Sequence, residues 1–279
     1  MWQMGDYGVQ EKRNSAEFCI ENKFLIRLLY KNIKNNQQIK FIMKISVVIP
    51  AYNEEKRIEE SLRKISGFLS KKSEDYEIIV VNDGSTDKTS GIVKKFDNKK
   101  VRLIENKSNN GKGYSVKKGV IAAKYSLVLY SDCDLATPIE SLDKFVEYIN
   151  QGYDIIIGSR NLKKSKIIVH QPIYRQLMGK IFPLLVDIIA LTGFKDTQCG
   201  FKLYKTKAAK NIVEKQRTNG FSFDVEMLLV AKKMHYKIKE VPITWISKGE
   251  SKVDIIKDPI KMLVDLIRIK INDIKGLYD

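Results

Sequence analysis

The sequence predicts an α/β fold with a mainly parallel sheet that is covered by helices on both faces. Short apolar runs begin at Ile45, Ile78 and Leu127, and each run leads into a polar loop. Between these runs, apolar residues recur at the three- and four-residue spacing of a helix. Strands that are apolar throughout and alternate with helices are typical of a parallel sheet with both faces buried.

The elements follow one another in a regular order along the chain. Two helices are indicated by apolar residues at helical spacing, namely Ile58, Leu62, Ile65 and Leu69 in the first and Val116, Val120 and Ala123 in the second. A fourth strand is predicted at residues 154–157, just before Gly158-Ser159-Arg160. A chain of 279 residues with 43% hydrophobic content is long enough for one sizeable domain of this kind.

Two carboxylates one residue apart, Asp132 and Asp134, directly follow the third strand. Carboxylate oxygens are preferred ligands of Mg²⁺, and a cation held at this position could also bind a diphosphate. The alternative is a pair of solvated turn residues, which strand ends commonly carry. Other polar groups that converge on the pair would favour the cation site.

Asp83 follows the second strand and is the first such group. In an open α/β sheet, ligands bind outside the carboxyl ends of the strands, so Asp83 should face the same crevice as the acidic pair. Asp83 could accept the N–H of a pyrimidine base there. Alternatively, residues 82–87 form a turn in which Ser85 or Asp87 caps the next helix, and the two interpretations are compatible.

Two basic residues are candidates for binding phosphate at this edge. Lys112 lies in an Asn-Gly-Lys-Gly segment before a helix, where backbone N–H groups and an ammonium would face a ligand. A flexible turn with one solvated lysine is the alternative. Arg160 follows a strand end, and its planar guanidinium suits a bidentate contact with phosphate.

The charge balance favours anionic partners. Fifty Lys and Arg residues against thirty-three Asp and Glu residues give a formal net charge of +17. Nucleotide diphosphates, lipid phosphates or an acidic membrane face would suit this charge. Nucleic acid is disfavoured because the lysines are spread along helices, and a compositional bias of the source genome also explains their number.

Three scattered cysteines and two histidines fit neither a disulfide framework nor a metal cluster, which favours a reduced, intracellular protein.

Three segments are predicted along the chain. Residues 1–42 form an extension that lacks a signal-peptide core and is expected to be disordered or dispensable, because the α/β pattern starts only at Met43. The alternative is a helix whose face, with Phe24, Leu25, Leu28 and Leu29, rests on a membrane or on the domain. Residues 43–254 form the α/β domain. Residues 255–279 form an amphipathic C-terminal helix.

Two amphipathic helices are predicted to lie on a membrane surface without crossing it. One spans residues 173–192, and the other carries Ile260, Leu263 and Ile267 on one face with Lys261 and Arg268 on another. Ordinary packing against the core is the alternative. The absence of an apolar run of 18 residues argues against a spanning helix.

Six motifs occur in order between Met43 and Lys252, and they resemble the inverting glycosyltransferases of family 2. They are SVVIPAYNEE, VVNDGSTDKT, NNGKG, SDCDLATP, GSR and DTQCGFKLY. The last motif, together with Phe223-Asp-Val-Glu226 and Glu250-Ser251-Lys252, is most similar to the dolichyl-phosphate (polyprenyl-phosphate) β-glucosyltransferases. The resemblance implies the GT-A fold and the metal-assisted transfer of a hexose, glucose, from UDP-glucose to a polyprenyl phosphate. Such a reaction also implies a peripheral location on the cytosolic face of a membrane.

The resemblance also implies roles for individual residues. The nucleotide would be bound by Pro50, Ala51, Tyr52, Glu54, Asp83, Lys112 and Asp132. Mg²⁺ or Mn²⁺ would be held by Asp132 and Asp134. The acceptor phosphate would contact Arg160, Gln198, Lys202, Ser251 and Lys252. The catalytic residues would be Asp134, Arg160, Asp196 and Asp224. A lipid phosphate can react without a general base; if one is used, Asp196 is the first candidate and Asp224 the second. A structural ion pair or loop hydrogen bond is the alternative for Asp196 and Lys202.

Two departures from the family pattern accompany the resemblance. The mannosyl-type relatives carry Gln where this chain has Ala136, which points to a different sugar or a different metal shell. Cys133 replaces the usual Ala and is interpreted as a small buried hydrophobe.

The sequence also allows alternatives to this function. The alternatives within the family are a different donor sugar, mannose or N-acetylhexosamine, or a different acceptor. A nucleotidyltransferase would carry a Gly-rich basic loop after its first strand, and a polysaccharide synthase would carry spanning helices and a Gln-x-x-Arg-Trp motif. A non-catalytic module that binds sugar nucleotides at a membrane surface would be expected to lack the acidic pair.

Overall fold

The computed structural model describes residues 43–169, 186, 189, 193–246 and 257–279. All described residues belong to one compact unit, which starts at Met43. The predicted N-terminal extension, nearly all of the predicted helix at 173–192, and Ser251 and Lys252 lie outside the described residues.

The strands and helices alternate as the sequence predicts. In chain order the elements are β1 (Ile45–Ala51), α1 (Ile58–Lys72), β2 (Tyr76–Asn82), α2 (Thr89–Lys95), β3 (Val101–Glu105), α3 (Lys112–Ala122), β4 (Leu127–Ser131), α4 (Ser141–Asn150), β5 (Ile155–Ser159), β6 (Lys166–Val169), β7 (Phe201–Lys205), α5 (Thr206–Lys215), α6 (Phe223–Lys233), β8 (Ile238–Pro242), β9 (Thr244–Ile246) and α7 (Lys257–Ile274).

The main sheet has seven strands in the order β3-β2-β1-β4-β7-β5-β8. Its pairings are parallel except those of β7, which runs antiparallel to both β4 and β5. A second, two-stranded sheet pairs β6 with β9 in parallel. The prediction of a mainly parallel sheet is confirmed, and the antiparallel strand β7 is an addition to it.

Helices cover both faces of the main sheet. Alternate strand residues point to opposite sides, and because both sets are apolar, each face must be buried by helices. Val47 belongs to the hydrophobic cluster that includes α1 and α4, whereas its neighbour Val48 belongs to the cluster that includes α3, α5, α6 and α7. The four predicted core positions of α1 are fully buried: Ile58, Leu62, Ile65 and Leu69. The apolar, largely β-branched strands are therefore buried on both faces, as a parallel sheet requires.

Candidate active site

Polar residues from separate strands converge at one edge of the sheet. Asp83 follows β2, Asp132 follows β4 and Arg160 follows β5. Since these strands point the same way, the three residues leave the sheet at its carboxyl edge. Strand β7 starts at this edge because it runs antiparallel, and it therefore brings residues 196–200 beside Asp132.

Asp83 anchors the loop that leads into α3. Its buried carboxylate accepts hydrogen bonds from Asn106 Nδ2 at 2.7 Å, from the N–H of Asn110 at 3.1 Å and from the N–H of Gly111 at 2.8 Å. A carboxylate offers about four acceptor positions, so these three bonds leave one for a ligand. The structural role and the predicted base contact are thus compatible.

The turn after β2 also contacts the start of the next helix, although its N-cap residue is Lys88 and not Ser85 or Asp87 as the alternative interpretation predicts. Asp87 accepts a hydrogen bond at 2.9 Å from the N–H of Thr89, the first residue of α2. The hydroxyl oxygen of Ser85 instead accepts a hydrogen bond from the N–H of Asn53 at 2.8 Å, which connects this turn to the loop after β1. Asp87 and Ser85 thus stabilise the turn, and Asp83 is left to face the site.

The loop after β1 holds the remaining nucleotide-binding candidates. Ala51 is buried, Pro50 is half-buried and Tyr52 is 38% exposed. Glu54 forms an ion pair with Arg57 at 2.7 Å. Tyr52 is consequently the candidate in this loop that offers the most side-chain surface to a ligand.

Lys112 is the first residue of α3, and its backbone is fixed on both sides. The preceding Gly111 has a φ of +104°, and a Cβ at that position would lie 2.4 Å from the carbonyl oxygen of Asn219. The same oxygen accepts N–H groups from the first turn of α3. From this fixed backbone the ammonium of Lys112 reaches Asp132 Oδ1 at 2.8 Å.

Asp132 is held by three neighbours. Besides Lys112, the hydroxyl of Tyr130 donates to Oδ1 at 2.9 Å, and a Cβ on Gly200 would lie only 1.9 Å from Oδ2. Burial raises the pKa of Tyr130, as does the charge of Asp132, so the phenol stays a donor. Burial alone would lower the pKa of Lys112, but the carboxylates of Asp132 and Asp224 outweigh it, and the ammonium stays charged.

Asp134 has a different environment from its partner. Within the described part of the chain, its side chain receives one hydrogen bond, from the N–H of Ala136 to Oδ1 at 3.0 Å. Burial raises the pKa of Asp134, and the negative charge of Asp132 raises it further. The ionised form of Asp134, which burial and the charge of Asp132 disfavour, would be stabilised by a cation bound beside it.

A small polar cleft lies beside this pair. It is lined by Ser131, Asp132, Asp134, Leu135, Ala136, Thr137, Gly200 and Trp245. Leu135 adopts a φ of +48°, which bends the loop after β4 around the cleft. The N–H of Ile246 donates to the carbonyl of Ala136 at 2.8 Å, and this bond brings β9 and Trp245 against the acidic loop.

Arg160 and Asp196 form a bidentate ion pair. Arg160 donates from Nε to Asp196 Oδ2 at 2.7 Å and from Nη2 to Oδ1 at 2.8 Å. The backbone N–H of Arg160 also donates to Asp196 Oδ2. Burial works to raise the pKa of Asp196, but Arg160 outweighs it and the pKa is lowered. A buried carboxylate of low basicity is a poor proton acceptor, so the geometry favours the structural ion pair over the general base.

Lys202 and Asp224 form a second ion pair that is more deeply buried. Lys202 is completely inaccessible; it donates to Asp224 and, at 2.8 Å, to the carbonyl of Cys199. Burial raises the pKa of Asp224 even though Lys202 opposes the effect. The expectation that Lys202 contacts the acceptor phosphate needs correction, since its ammonium is enclosed between these partners.

Gln198 is half-buried, and its N–H donates to Asp196 Oδ1 at 3.3 Å.

The acidic pair fits a hard divalent cation. Asp132 and Asp134 present carboxylate oxygens to a polar cleft, which is the donor chemistry of Mg²⁺ and Mn²⁺. Among the described residues, no group of three or more His, Cys, Asp or Glu side chains is arranged to hold a metal. A cation at this position would therefore need further ligands from water or from a bound diphosphate.

Three residues of the site were missed by the sequence reasoning. Tyr130 ends an apolar strand, and its hydroxyl contacts Asp132. Gly200 lies inside the motif DTQCGFKLY, and Trp245 lies outside the six motifs. A signal for Trp245 exists, since it is one of only two tryptophans and precedes Glu250-Ser251-Lys252 by a few residues.

Comparison with known proteins identifies the family. The family model described as Glycosyl transferase family 2 matches residues 46–213. The chain belongs to this family. The glycosyltransferase is 32% identical to a dolichyl-phosphate beta-glucosyltransferase of Dictyostelium discoideum, over 84% of this chain and 76% of the relative. It is 34% identical to the protein of that name from Saccharomyces cerevisiae, with the same coverage.

A solved structure confirms the fold of this glycosyltransferase as GT-A. Glucosyl-3-phosphoglycerate synthase from Mycobacterium tuberculosis, crystallised with Mn²⁺, UDP-glucose and glycerol 3-phosphate, superposes with a TM-score of 0.59. The superposition covers 82% of this chain and 79% of the synthase at 17% sequence identity. At that identity the comparison concerns the fold alone.

Proposed function

We propose that this glycosyltransferase transfers glucose from UDP-glucose to a polyprenyl phosphate of the dolichyl type, with inversion at the anomeric carbon. The observation that carries the proposal is the pair Asp132 and Asp134 on a polar cleft at the carboxyl edge of a GT-A sheet. The shared name of the relatives, which are 32–34% identical over most of their length, supports the donor sugar and the lipid acceptor.

The reaction is an in-line displacement. An oxygen of the acceptor phosphate forms a bond to the anomeric carbon, while the bond from that carbon to the β-phosphate oxygen breaks and UDP leaves with the electron pair. A phosphate monoester is already anionic at neutral pH, so no proton has to be removed from it. This chemistry agrees with Asp196, whose carboxylate is occupied by Arg160.

The residues of the cleft then have distinct roles. Asp134 and Asp132 would hold Mg²⁺ or Mn²⁺, which neutralises charge on the departing diphosphate. The ammonium of Lys112 lies 2.8 Å from Asp132 Oδ1 and would add a positive charge beside the diphosphate. Asp83 uses its remaining acceptor position for the N–H of uracil, and Tyr52 offers a ring beside the same loop.

Asp196 acts as a positioning residue for Arg160 in this proposal. The bidentate pair fixes the guanidinium at the carboxyl edge, where its side chain remains 32% exposed and lies 5.9 Å from the Trp245 ring centre. An exposed donor fixed in this way can bind the acceptor phosphate. Gln198, Ser251 and Lys252 are proposed to share that contact.

A nucleotide panel tests the donor assignment. UDP should bind more tightly than GDP in the presence of Mg²⁺ or Mn²⁺, because the one acceptor position left on Asp83 matches the single N–H of uracil, whereas guanine presents two adjacent donor groups on a larger ring. Isothermal titration of the full-length protein with UDP, CDP, ADP and GDP measures the preference. Equal affinity for UDP and GDP, or tighter binding of GDP, would overturn the assignment.

The acceptor places the reaction at a membrane surface, and α7 is proposed as the contact. Leu266 and Ile269 of α7 are buried against the core, whereas an opposite stripe is exposed, with Ile260 at 61% and Ile267 at 48%. The exposed stripe consists of Ile260, Leu263, Val264, Ile267, Ile271 and Ile274. No helix in the described ranges is both long and apolar enough to cross a bilayer.

The charges of α7 match a membrane of anionic lipids. Helical periodicity places Lys257, Lys261 and Arg268 along one border of the exposed stripe and Lys270 along the other. The acidic residues lie towards the protein, where Asp273 pairs with Lys233 at 2.7 Å. An apolar stripe bordered by basic residues suits the interface of an anionic bilayer.

Replacing Ile260, Leu263 and Ile267 together with Ser should weaken binding to anionic liposomes. Each methylene that no longer enters the bilayer loses roughly 0.8 kcal/mol. Because the three side chains are exposed, the fold should persist, and transfer to a short, water-soluble acceptor should continue. Co-sedimentation with liposomes and circular dichroism measure the two effects.

Ile121→Ser is the matched control, since Ile121 is 55% exposed on α3 and lies outside the stripe. It should leave liposome binding unchanged. Unaltered binding by the triple variant would show that α7 is not the membrane contact.

A further inference from the structure

The two lysines that lie over the ring of Tyr130 differ in their exposure and in their partners. Lys112 and Lys202 both lie over the ring of Tyr130, at 5.8 and 5.6 Å from its centre. Lys202 is fully buried and held by Asp224 and Cys199. The side chain of Lys112 is 27% exposed and faces Asp132, whose side chain is 33% exposed. Of these two lysine–aspartate pairs, the pair of Lys112 with Asp132 is therefore the one that an incoming ligand can reach.

The backbone of Lys112 cannot follow such a ligand, but its side chain can. Asp83 binds the N–H of Gly111 on one side, and the carbonyl of Asn219 binds the first turn of α3 on the other. A lysine stem has several rotatable bonds and carries its charge as a compact ammonium. The ammonium can therefore exchange one anionic partner for another while the loop stays in place.

We propose that Lys112 is an internal counter-ion that neutralises Asp132 in the free enzyme and transfers to the diphosphate when the nucleotide binds. This inference rests on the proposed role of Asp132 and Asp134 as metal ligands. In the free enzyme, the ammonium on Asp132 Oδ1 occupies an oxygen that the cation would use. A cation that binds alone must either displace the ammonium or lie close to a like charge.

The nucleotide removes this conflict. A diphosphate offers Lys112 new anionic oxygens, and Asp132 is then released for the cation. Metal and nucleotide should consequently bind with positive coupling, beyond the coupling that direct coordination supplies. Linkage requires that the cation strengthens nucleotide binding by the same factor.

Binding of Mn²⁺ to the full-length protein tests the inference without any measurement of turnover. Free Mn²⁺ is counted by electron paramagnetic resonance, with and without UDP, for the natural protein and for Lys112→Met. Methionine keeps a flexible chain and removes the charge. Without UDP, Lys112→Met should bind Mn²⁺ at least about 10-fold more tightly than the natural protein, because a like charge has left the carboxylate pair. With UDP present, the difference should shrink to less than about 3-fold.

Lys107→Met is the control for a general change of charge. Lys107 is exposed in the loop between β3 and α3, and its replacement by Met removes the same positive charge as Lys112→Met. It should leave Mn²⁺ binding unchanged. An equal gain in both variants, or no gain in Lys112→Met, would overturn the inference.

A second variant keeps the test decisive if Lys112→Met does not fold. Lys112→Arg retains the charge and can bind a carboxylate with two donors. It should weaken Mn²⁺ binding without UDP, by about 3-fold or more, and binding equal to the natural protein would count against the inference. Failure of the natural protein to bind Mn²⁺ even with UDP would instead remove the metal role in the proposed function, and the inference with it.

Discussion

Asp134→Asn is expected to lower turnover by about 10²-fold or more, the effect of losing one strong electrostatic stabiliser. The amide keeps the shape of the side chain, and its oxygen can still accept the hydrogen bond from Ala136. It removes a negative charge from the proposed cation site, where burial and Asp132 already disfavour the ionised carboxylate. The fold should therefore survive, and the measurement is steady-state transfer with Mg²⁺ or Mn²⁺.

Asp143→Asn provides the control for this experiment. Asp143 lies on α4 and forms an exposed ion pair with Lys72 at 2.9 Å, so the same chemical change occurs away from the cleft. It should leave transfer within about 2-fold of the natural protein, because exposed ion pairs contribute little. Near-normal transfer by a folded Asp134→Asn protein would contradict the metal mechanism.

Gly200→Ala is expected to be almost as damaging, although it adds a single methyl group. The added Cβ would lie 1.9 Å from Asp132 Oδ2 and 2.2 Å from its Cγ, so the carboxylate must move. A displacement of about 1 Å at a catalytic group can reduce the rate about 10²-fold. Metal-dependent UDP binding and turnover should fall together, since Asp132 belongs to both the proposed metal site and the nucleotide site.

Gly67→Ala is the matched control for Gly200→Ala. Gly67 lies inside α1, and a Cβ there would meet no atom within 4 Å. Alanine should raise the free energy of unfolding by roughly 0.5–1 kcal/mol, because glycine is costly in a helix interior, and activity should not change. Normal UDP binding by Gly200→Ala would show that the position of Asp132 is not critical.

The layered fold was predictable because its strands carry a strong local signal. Val47, Val48 and Ile49 are buried in turn on opposite faces, so the run is apolar throughout. Strand β7 gave no such signal, since its second residue is Lys202 and lysine is rarely buried. Its antiparallel insertion between β4 and β5 depends on pairings between residues distant in sequence.

The convergence of the site followed from topology, whereas its internal contacts did not. Parallel strands bring Asp83 and Asp132 to one edge whatever the loops do. The ion pair of Arg160 with Asp196 joins residues 36 positions apart, and the contact of Gly200 with Asp132 depends on the loop before β7. Such contacts arise from the folded positions of loops, which local sequence patterns do not encode.

The most direct test of the proposed function is the anomeric configuration of the product. The full-length protein is incubated with ¹³C-labelled UDP-glucose, Mg²⁺ or Mn²⁺, and a polyprenyl phosphate in anionic liposomes, with GDP-mannose and UDP-N-acetylglucosamine in parallel reactions. We expect transfer from UDP-glucose, and the proton–carbon coupling at the anomeric position should show a β-linked glucosyl phosphate, inverted from the α-linked donor. An α-linked product, or transfer from another donor in place of UDP-glucose, would contradict the proposed function.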